Sequence, residues 1–162
     1  MPPTEPGGVV GRVAQISVSR GGVPKAPVGA ATLSSSGVEG DRQRNRRIHG
    51  GPDRAVCLYS LELIEALQRE GHPITPGSTG ENVTVSGLHW DSIEPGVRLR
   101  VGEALLEVAS FTVPCKTIRA SFADSRFERI SQKTNPGWSR VYARVLVAGA
   151  ARTGDAVEIT EC

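Results

Sequence analysis

The chain has 162 residues, of which 22% are charged and 38% hydrophobic, and its formal net charge is +2. This length predicts one globular domain with a core large enough to fold without disulfides or metal ions. The charge does not indicate nucleic-acid binding, and no stretch has the apolar length of a membrane span. Three cysteines without a secretory signal argue against a disulfide framework and predict a cytoplasmic protein.

The first part of the chain is rich in proline and glycine. We expect residues 1–8 to form a flexible N-terminus and residues 9–162 a single domain. The segment "VVGRVAQISVS" alternates apolar and polar positions, which predicts a strand. The segment "RGGVPKAPVGA" is predicted as a loop, and "AATLSSSGVEGD" as a short strand followed by a glycine turn.

A basic segment follows and leads into the motif "HGGP". Its arginines are Arg42, Arg44, Arg46, Arg47 and, just beyond the motif, Arg54. Such a cluster suits an anionic ligand, although a solvated loop has the same composition. Paired glycines let backbone amides approach a ligand closely, but the spacing is that of neither a P-loop nor a dinucleotide fingerprint. The motif is therefore either an anion cradle or a simple turn.

The next segment predicts a buried strand and then a helix. "AVCLYS" is short and continuously apolar, so we expect Cys57 to be a small core residue. Ser60 is a good N-cap for "LELIEALQRE", in which apolar residues recur at helical spacing. Gly71 and Pro73 end this helix.

The rest of the chain is predicted to be mainly strands. "NVTVS" is one strand, and residues 94–113 form a hairpin around a Gly-Glu turn. Residues 114–131 hold one or two short helical segments, and "VYARVLVAGAARTGDAVEIT" is a strand, a turn and a strand. About seven strands to one clear helix predict a mainly β protein. We expect a closed or partly closed β-barrel with helices on its rim.

Cys115, in "TVPCKTIR", is the strongest candidate for chemistry. It lies where a strand gives way to a helical pattern, with Lys116 beside it and Arg119 one turn later. A helix N-terminus and nearby cations both favour the thiolate, which is the nucleophile and the metal ligand. A buried, unreactive cysteine is the alternative. Cys162, the last residue, is assigned no role.

Two further groups of polar residues could face a ligand. Glu81 and Asn82 begin a strand, and the Asn82 amide could bond the edge of a heterocycle or simply shape a turn. Arg140, Tyr142 and Arg144 share one face of a strand if the alternation holds. That face is either a basic wall of a binding site or an exposed sheet edge protected by arginine.

Taken together, these segments resemble the MOSC domain, the module at the C-terminus of molybdenum-cofactor sulfurases. The matching stretches are "RGGVPKAPV", "GVEGDRQRNRRIHGGPDRAVCLYS", "GENVTVSGL", "VGEALLEVASFTVPC" and "YARVLVAGAARTGDAVEI", in family order across residues 10–160. The chain is similar to the short stand-alone bacterial members, including those linked to resistance against N-hydroxylated purines. One departure is Ile48, where close relatives often carry a first histidine.

The resemblance implies a β-barrel of the kind inserted in pyruvate kinase, together with molybdenum-cofactor binding or sulfur handling. It implies Cys115 as the catalytic thiol and metal ligand. The residues expected to bind the cofactor are His49, Gly50, Gly51, Arg54, Asn82, Lys116 and Arg140. Pyridoxal phosphate is expected only in partner or fused family members, because no lysine segment for it is seen here.

Three hypotheses follow. The first is a molybdenum-cofactor protein that reduces N-hydroxylated substrates or carries the sulfurated cofactor, with a separate flavin or iron–sulfur protein as electron donor. The second is a metal-free carrier that receives sulfur from a cysteine desulfurase as a Cys115 persulfide. The third is a barrel that binds anions or nucleic acid without catalysis, which the low aromatic content of 4% disfavours. In the first two the ligand is a small molecule and no membrane is involved.

Overall fold

The computed structural model describes residues 10–41 and 51–161. Several predictions made from the sequence lie outside these ranges. They concern the flexible N-terminus at residues 1–8, the arginines Arg42, Arg44, Arg46 and Arg47, the ligand contacts of His49 and Gly50, and the terminal Cys162.

A closed barrel of seven strands forms the body of the protein, as the sequence predicted. The strands of the ring are β1 Val10–Val18, β5 Val56–Ser60, β6 Val83–Ser86, β7 Arg98–Val101, β8 Ala104–Phe111, β9 Val141–Val147 and β11 Ala156–Glu161. Around the ring, adjacent strands follow the order β1, β6, β5, β9, β8, β7 and β11, and β11 pairs with β1 to close it. All of these pairs are antiparallel except β5 with β6.

Four short strands lie outside the ring. β2 (Ala26–Val28) extends the sheet beyond β1, so the prediction of an uninterrupted loop at this point was wrong. A separate sheet contains β3 (Ala30–Ser34), β4 (Gly37–Val38) and β10 (Gly149–Arg152). The sequence had placed β10 within a turn. Strands this short carry too few alternating positions to be recognised locally, and their partners are distant in sequence.

Alternate residues of the ring strands fill the barrel. On β5 and β9 the inward positions include Val56, Leu58, Val141 and Ala143, all without solvent exposure. Burying these branched side chains away from water is the main favourable contribution to folding. The same alternation sends the residues between them, such as Cys57, to the outer face of the barrel.

One α-helix, α1 (Leu61–Arg69), is present in the described part of the chain. Ser60 caps it as predicted, because the Ser60 hydroxyl accepts a 3.2 Å hydrogen bond from the backbone N–H of Leu63. The helix buries Ile64 and Leu67 against the core. Among the helices described, none combines the length and apolar character needed to cross a membrane.

Short 3-10 helices of three to six residues provide the remaining helical structure. Residues 114–131 were predicted to hold one or two helical segments, and the structure has three. The turns are Pro52–Arg54, Trp90–Ser92, Lys116–Ser121, Ala123–Ser125 and Phe127–Ile130.

Arg129 fastens the end of α1 to the segment that precedes β9. Its Nε and Nη2 atoms lie 2.9 and 2.8 Å from the two carboxylate oxygens of Glu70. Its guanidinium carbon also lies 3.9 Å from the centre of the Trp138 ring. Paired hydrogen bonds of this kind hold both groups in one orientation. Arg129 therefore holds the chain in place at Trp138, two residues before Arg140.

We expect Glu70→Gln to lower the free energy of unfolding at pH 7 by about 1 kcal/mol, since the pair is partly exposed. The hydrogen bonds from Arg129 hold the pKa of Glu70 below its ordinary value of 4.5. The stabilisation is therefore present above that value and is lost as pH falls through the lowered pKa. Urea unfolding of both proteins between pH 7 and pH 3 checks this, with the exposed Glu94→Gln as control. If the difference in free energy of unfolding between the wild type and Glu70→Gln stayed constant from pH 7 to pH 3, the stabilising role of the ionised Glu70 carboxylate would be contradicted.

Candidate functional site

Segments that are distant in sequence meet at one end of the barrel, around Cys115. The backbone N–H of Thr112 donates to the carbonyl of Arg140 at 3.0 Å, which continues the β8–β9 pairing. The Ser121 hydroxyl lies 2.8 Å from the hydroxyl of Ser78. These contacts tie the Cys115 segment to the strand that follows Arg140 and to the loop that precedes β6. The three segments are therefore neighbours at this end of the barrel.

Cys115 is partly exposed and stands at the N-cap of the turn Lys116–Ser121. Its Sγ atom lies 2.9 Å from the hydroxyl oxygen of Thr117. The turn has six residues, so it provides only a short stretch of aligned peptide dipoles, less than the helix that the sequence suggested. Lys116 is exposed beside the thiol. Cys115 is thus accessible to a ligand or a partner protein.

Cys57 and Tyr142 face each other on the outer side of the barrel. They are direct partners in the β5–β9 register, so their side chains project from the same face. Arg54 covers the Tyr142 ring, with its guanidinium carbon 5.3 Å from the ring centre. Burial is the main cause that raises the pKa of Tyr142 to about 12, and charges on Cys57 and Cys115 act in the same direction. Tyr142 therefore lies opposite Cys57 and near enough to Cys115 for the two to interact electrostatically.

Cys57 is buried as predicted, but its surroundings are polar. Burial raises the pKa of its thiol to about 11. The same thiol interacts electrostatically with Arg140, Glu81, Lys25 and Asp41. The prediction of a small buried residue is confirmed, and the side chain lies on the covered outer face, whereas Val56 and Leu58 point into the barrel.

Arg140 is the most informative cation of the site. The residue is 7% exposed. Its Nη1 atom donates to the carbonyl of Thr79 at 2.5 Å. Its Nε atom has no acceptor among the residues that the structure describes. A buried donor without a partner costs about 1–3 kcal/mol. A ligand that offers an anionic oxygen would recover this cost.

Glu81 is fully buried close to Arg140. The Thr79 hydroxyl donates to its Oε1 atom at 2.8 Å, and the Thr84 hydroxyl lies 3.4 Å from Oε2. Burial raises the pKa of this carboxyl, whereas hydrogen bonds from backbone N–H groups, the Thr79 hydroxyl and the charge of Arg140 oppose that rise. The site thus contains a buried carboxyl group beside a buried guanidinium group.

Asn82 connects strands and has its polar atoms engaged within the protein. Its Oδ1 atom accepts from the backbone N–H of Cys57 at 3.0 Å. Its Nδ2 atom donates to the carbonyl of Ser17 at 3.3 Å and to Asp41 at 2.9 Å. Asp41 also pairs with Lys25 at 2.6 Å, where both side chains are nearly inaccessible. Asn82, which the sequence suggested as a ligand contact, is here part of a buried network.

The strand face that carries Arg140, Tyr142 and Arg144 is not a free edge. β9 pairs with β5 on one side and β8 on the other, so the interpretation as a protected sheet edge was wrong. Arg144 contacts Glu107 and donates from Nε to Asp53 at 2.9 Å. This ion pair holds the turn that presents Arg54 above Tyr142.

Gly51 is the described part of the "HGGP" motif. Its φ of 99° is a left-handed conformation that favours glycine, and a Cβ there would meet open space. Its carbonyl accepts from the N–H of Arg54 at 3.0 Å, which closes the turn. Backbone shape therefore explains this glycine, and the ligand contact expected of it stays a prediction.

From the set that the sequence selected, the structure places Arg54 over the ring of Tyr142, and Arg140 and Cys115 near enough to interact electrostatically with the same tyrosine. Lys116 lies at the same end but is exposed. Lys25 and Asp41 were missed, because nothing in "RGGVPK" or "GVEGD" marks a buried ion pair. Among the described residues, no three His, Cys, Asp or Glu side chains cluster as a metal site.

Comparison with known proteins gives a consistent family assignment. Residues 45–158 match the family model of the MOSC domain. YflK of Bacillus subtilis (strain 168), described as uncharacterized, is 34% identical over 143 residues, which are 85% of this chain and 62% of YflK. YiiM of Escherichia coli (strain K12) is 34% identical over 115 residues, which are 68% of this chain and 51% of YiiM. The chain therefore spans less than two thirds of either relative.

Solved structures share the fold. YiiM from Geobacillus stearothermophilus matches with a TM-score of 0.68 at 26% identity, covering 93% of this chain and 75% of that one. The YuaD protein from Bacillus subtilis matches with a TM-score of 0.72, covering 94% of this chain and 96% of that one. At 19% identity, the second likeness shows the fold alone.

Proposed function

The chain belongs to the MOSC domain family, and from this premise we propose that it binds a molybdenum cofactor with Cys115 as the protein's metal ligand. When bound, this group would supply the chemistry for reducing N-hydroxylated substrates, or the chain would handle it in its sulfurated form. The observation that carries the proposal is the unpartnered Nε atom of buried Arg140, at the end of the barrel that presents the Cys115 thiol.

The residues present fit such a cofactor. A thiolate is a soft ligand suited to molybdenum, and Cys115 offers one in an accessible position. The phosphate of the pterin is an anion that guanidinium groups bind well, and Arg54 and Arg140 supply two of them. His49, Gly50, Gly51 and Lys116 would complete this contact, with Asn82 fixing the strands behind it.

When bound, the cofactor supplies two-electron redox chemistry at the metal. Reduction of an N-hydroxyl group consumes two electrons and two protons, forms an N–H bond and releases water. The electrons come from a separate flavin or iron–sulfur protein, and the reaction takes place in the cytoplasm. The chain's own contribution is to hold the ligand, with Tyr142 and Arg54 forming one wall of the site.

Metal and pterin analysis tests the proposal directly. We expect the protein purified from a host that makes the cofactor to contain molybdenum and a fluorescent pterin derivative in equal amounts. Protein from a host that cannot make the cofactor should contain neither, while its circular dichroism spectrum stays the same. Preparations from the competent host that lack both groups would contradict the proposal.

A metal-free sulfur carrier is the second candidate, which the exposure of Cys115 beside exposed Lys116 favours. In this scheme the Cys115 thiolate attacks the outer sulfur of a desulfurase persulfide. A new S–S bond forms on Cys115, and the desulfurase cysteine leaves as a thiolate. Mass spectrometry after incubation with a cysteine desulfurase and cysteine should find one added sulfur on Cys115. A label on Cys57 alone would contradict this scheme.

A further inference from the structure

We infer that Glu81 is a positioning residue for Arg140: it fixes the loop that holds the guanidinium, so that Nε is presented to an oxyanion of the ligand. The inference rests on the proposed function, because it names the chemical class recognised at the same site. The group recognised is a negatively charged oxygen, either of a phosphate ester or of an oxo group carried on a metal.

The Glu81 carboxyl organises the loop from Gly77 to Glu81. The Thr79 hydroxyl donates to it at 2.8 Å, and backbone N–H groups of Gly77 and of Glu81 itself also donate. Gly77 has a φ of 84°, and a Cβ there would approach the carbonyl of Lys25 to 2.7 Å. The loop thus packs closely against Lys25 on one side, and on the other side it donates hydrogen bonds to the Glu81 carboxyl. Its backbone has little freedom to shift.

Thr79 connects the Glu81 carboxyl to the guanidinium of Arg140. Its hydroxyl bonds Glu81, and its carbonyl accepts from Nη1 of Arg140 at 2.5 Å. The backbone carbonyl of Arg140 is held in turn by the Ser139 hydroxyl at 2.6 Å and the Thr112 N–H at 3.0 Å. The guanidinium is therefore fixed at both ends of its side chain.

The charges explain why an anion is the expected ligand. Glu81 lies close enough to interact electrostatically with Arg140, yet its carboxyl accepts its hydrogen bonds from hydroxyl and backbone donors. Nε of Arg140 is left without an acceptor among the described residues, although the residue is 7% exposed. Lys25, the other buried cation nearby, is already paired with Asp41 at 2.6 Å. Arg140 is thus the buried cation with a donor to spare, and a preorganised guanidinium suits oxyanions.

Calorimetric titration of the metal-free protein, made in a host without the cofactor, tests the inference. Inorganic phosphate and tungstate are the two probes: phosphate stands for the ester and tungstate for the oxo group. We expect the wild type to bind at least one of them. Glu81→Gln and Arg140→Lys should each weaken that binding by about tenfold, the effect typical of residues that support a ligand from behind. The double variant should bind no more weakly than Arg140→Lys alone, because Glu81 acts through Arg140.

Two further proteins keep this test decisive. Ile64→Val lowers stability in the core and should leave the dissociation constant unchanged. Thr79→Val removes the hydroxyl that bonds Glu81 but keeps the carbonyl that holds Arg140, and should weaken binding in the same direction if Glu81→Gln does not fold. Additive losses in the double variant, unchanged binding by Glu81→Gln or Thr79→Val, or a wild type that binds neither probe would overturn the inference. Molybdenum content is measured in a separate experiment. The proposed function can therefore be contradicted while the role of Glu81 is supported, or the role of Glu81 contradicted while the proposed function is supported.

Discussion

Replacing Cys115 with serine is expected to reduce molybdenum content by about tenfold or more in protein from a host that makes the cofactor. A serine hydroxyl keeps its proton at neutral pH and is a harder donor than a thiolate, so the metal loses its protein ligand. Because Cys115 is partly exposed and its Sγ atom contacts the Thr117 hydroxyl, stability should change by less than about 0.5 kcal/mol. Elemental analysis beside thermal unfolding separates the two effects.

The other two cysteines provide the matched controls. Cys57→Ser places a hydroxyl in a buried, polar environment, and Cys162→Ser removes the last thiol of the chain. We expect both variants to keep their molybdenum. Full occupancy in Cys115→Ser, or loss of metal only in Cys57→Ser, would rule out Cys115 as the ligand. The same three proteins, incubated with a desulfurase, also locate any persulfide.

Asn82→Leu is expected to lower the free energy of unfolding by about 3–4 kcal/mol, because it leaves buried groups without partners. The N–H of Cys57 loses its acceptor, and the carbonyl of Ser17 and the carboxylate of Asp41 each lose a donor. Leucine has the same number and branching of side-chain heavy atoms as asparagine, so no cavity forms, and the loss reports the broken hydrogen bonds together with the bulk of the two methyl groups. Urea unfolding with and without the bound cofactor measures it.

Thr84→Val is the control for this measurement, since it removes a buried hydroxyl two residues further on that makes one long 3.4 Å contact with Glu81. We expect it to cost about 1 kcal/mol or less. If Asn82 instead contacts the ligand directly, Asn82→Leu would leave the metal-free protein as stable as the wild type and would lose metal. That result would contradict the buried network as the role of Asn82.

The elements that the sequence predicted best are those whose pattern is local. β1, β5 and the hairpin of β7 and β8 show alternating or continuous apolar positions, and α1 has helical spacing behind a serine cap. Such patterns follow from which face each residue buries, and they are visible within a few residues. β2 and β10 were missed because their strand character depends on partners elsewhere in the chain.

The sequence by itself also determined the family, and it led to the prediction that Cys115 is the reactive thiol, because both rest on residue types in a fixed order. It could not give the environment of Cys57, whose neighbours Arg140, Glu81, Lys25 and Asp41 come from four separate segments. Only the tertiary structure showed that β9 lies inside a closed ring and that Arg140 is buried with a spare donor. Burial and hydrogen bonding between distant segments depend on barrel closure, and no local pattern in the chain encodes them.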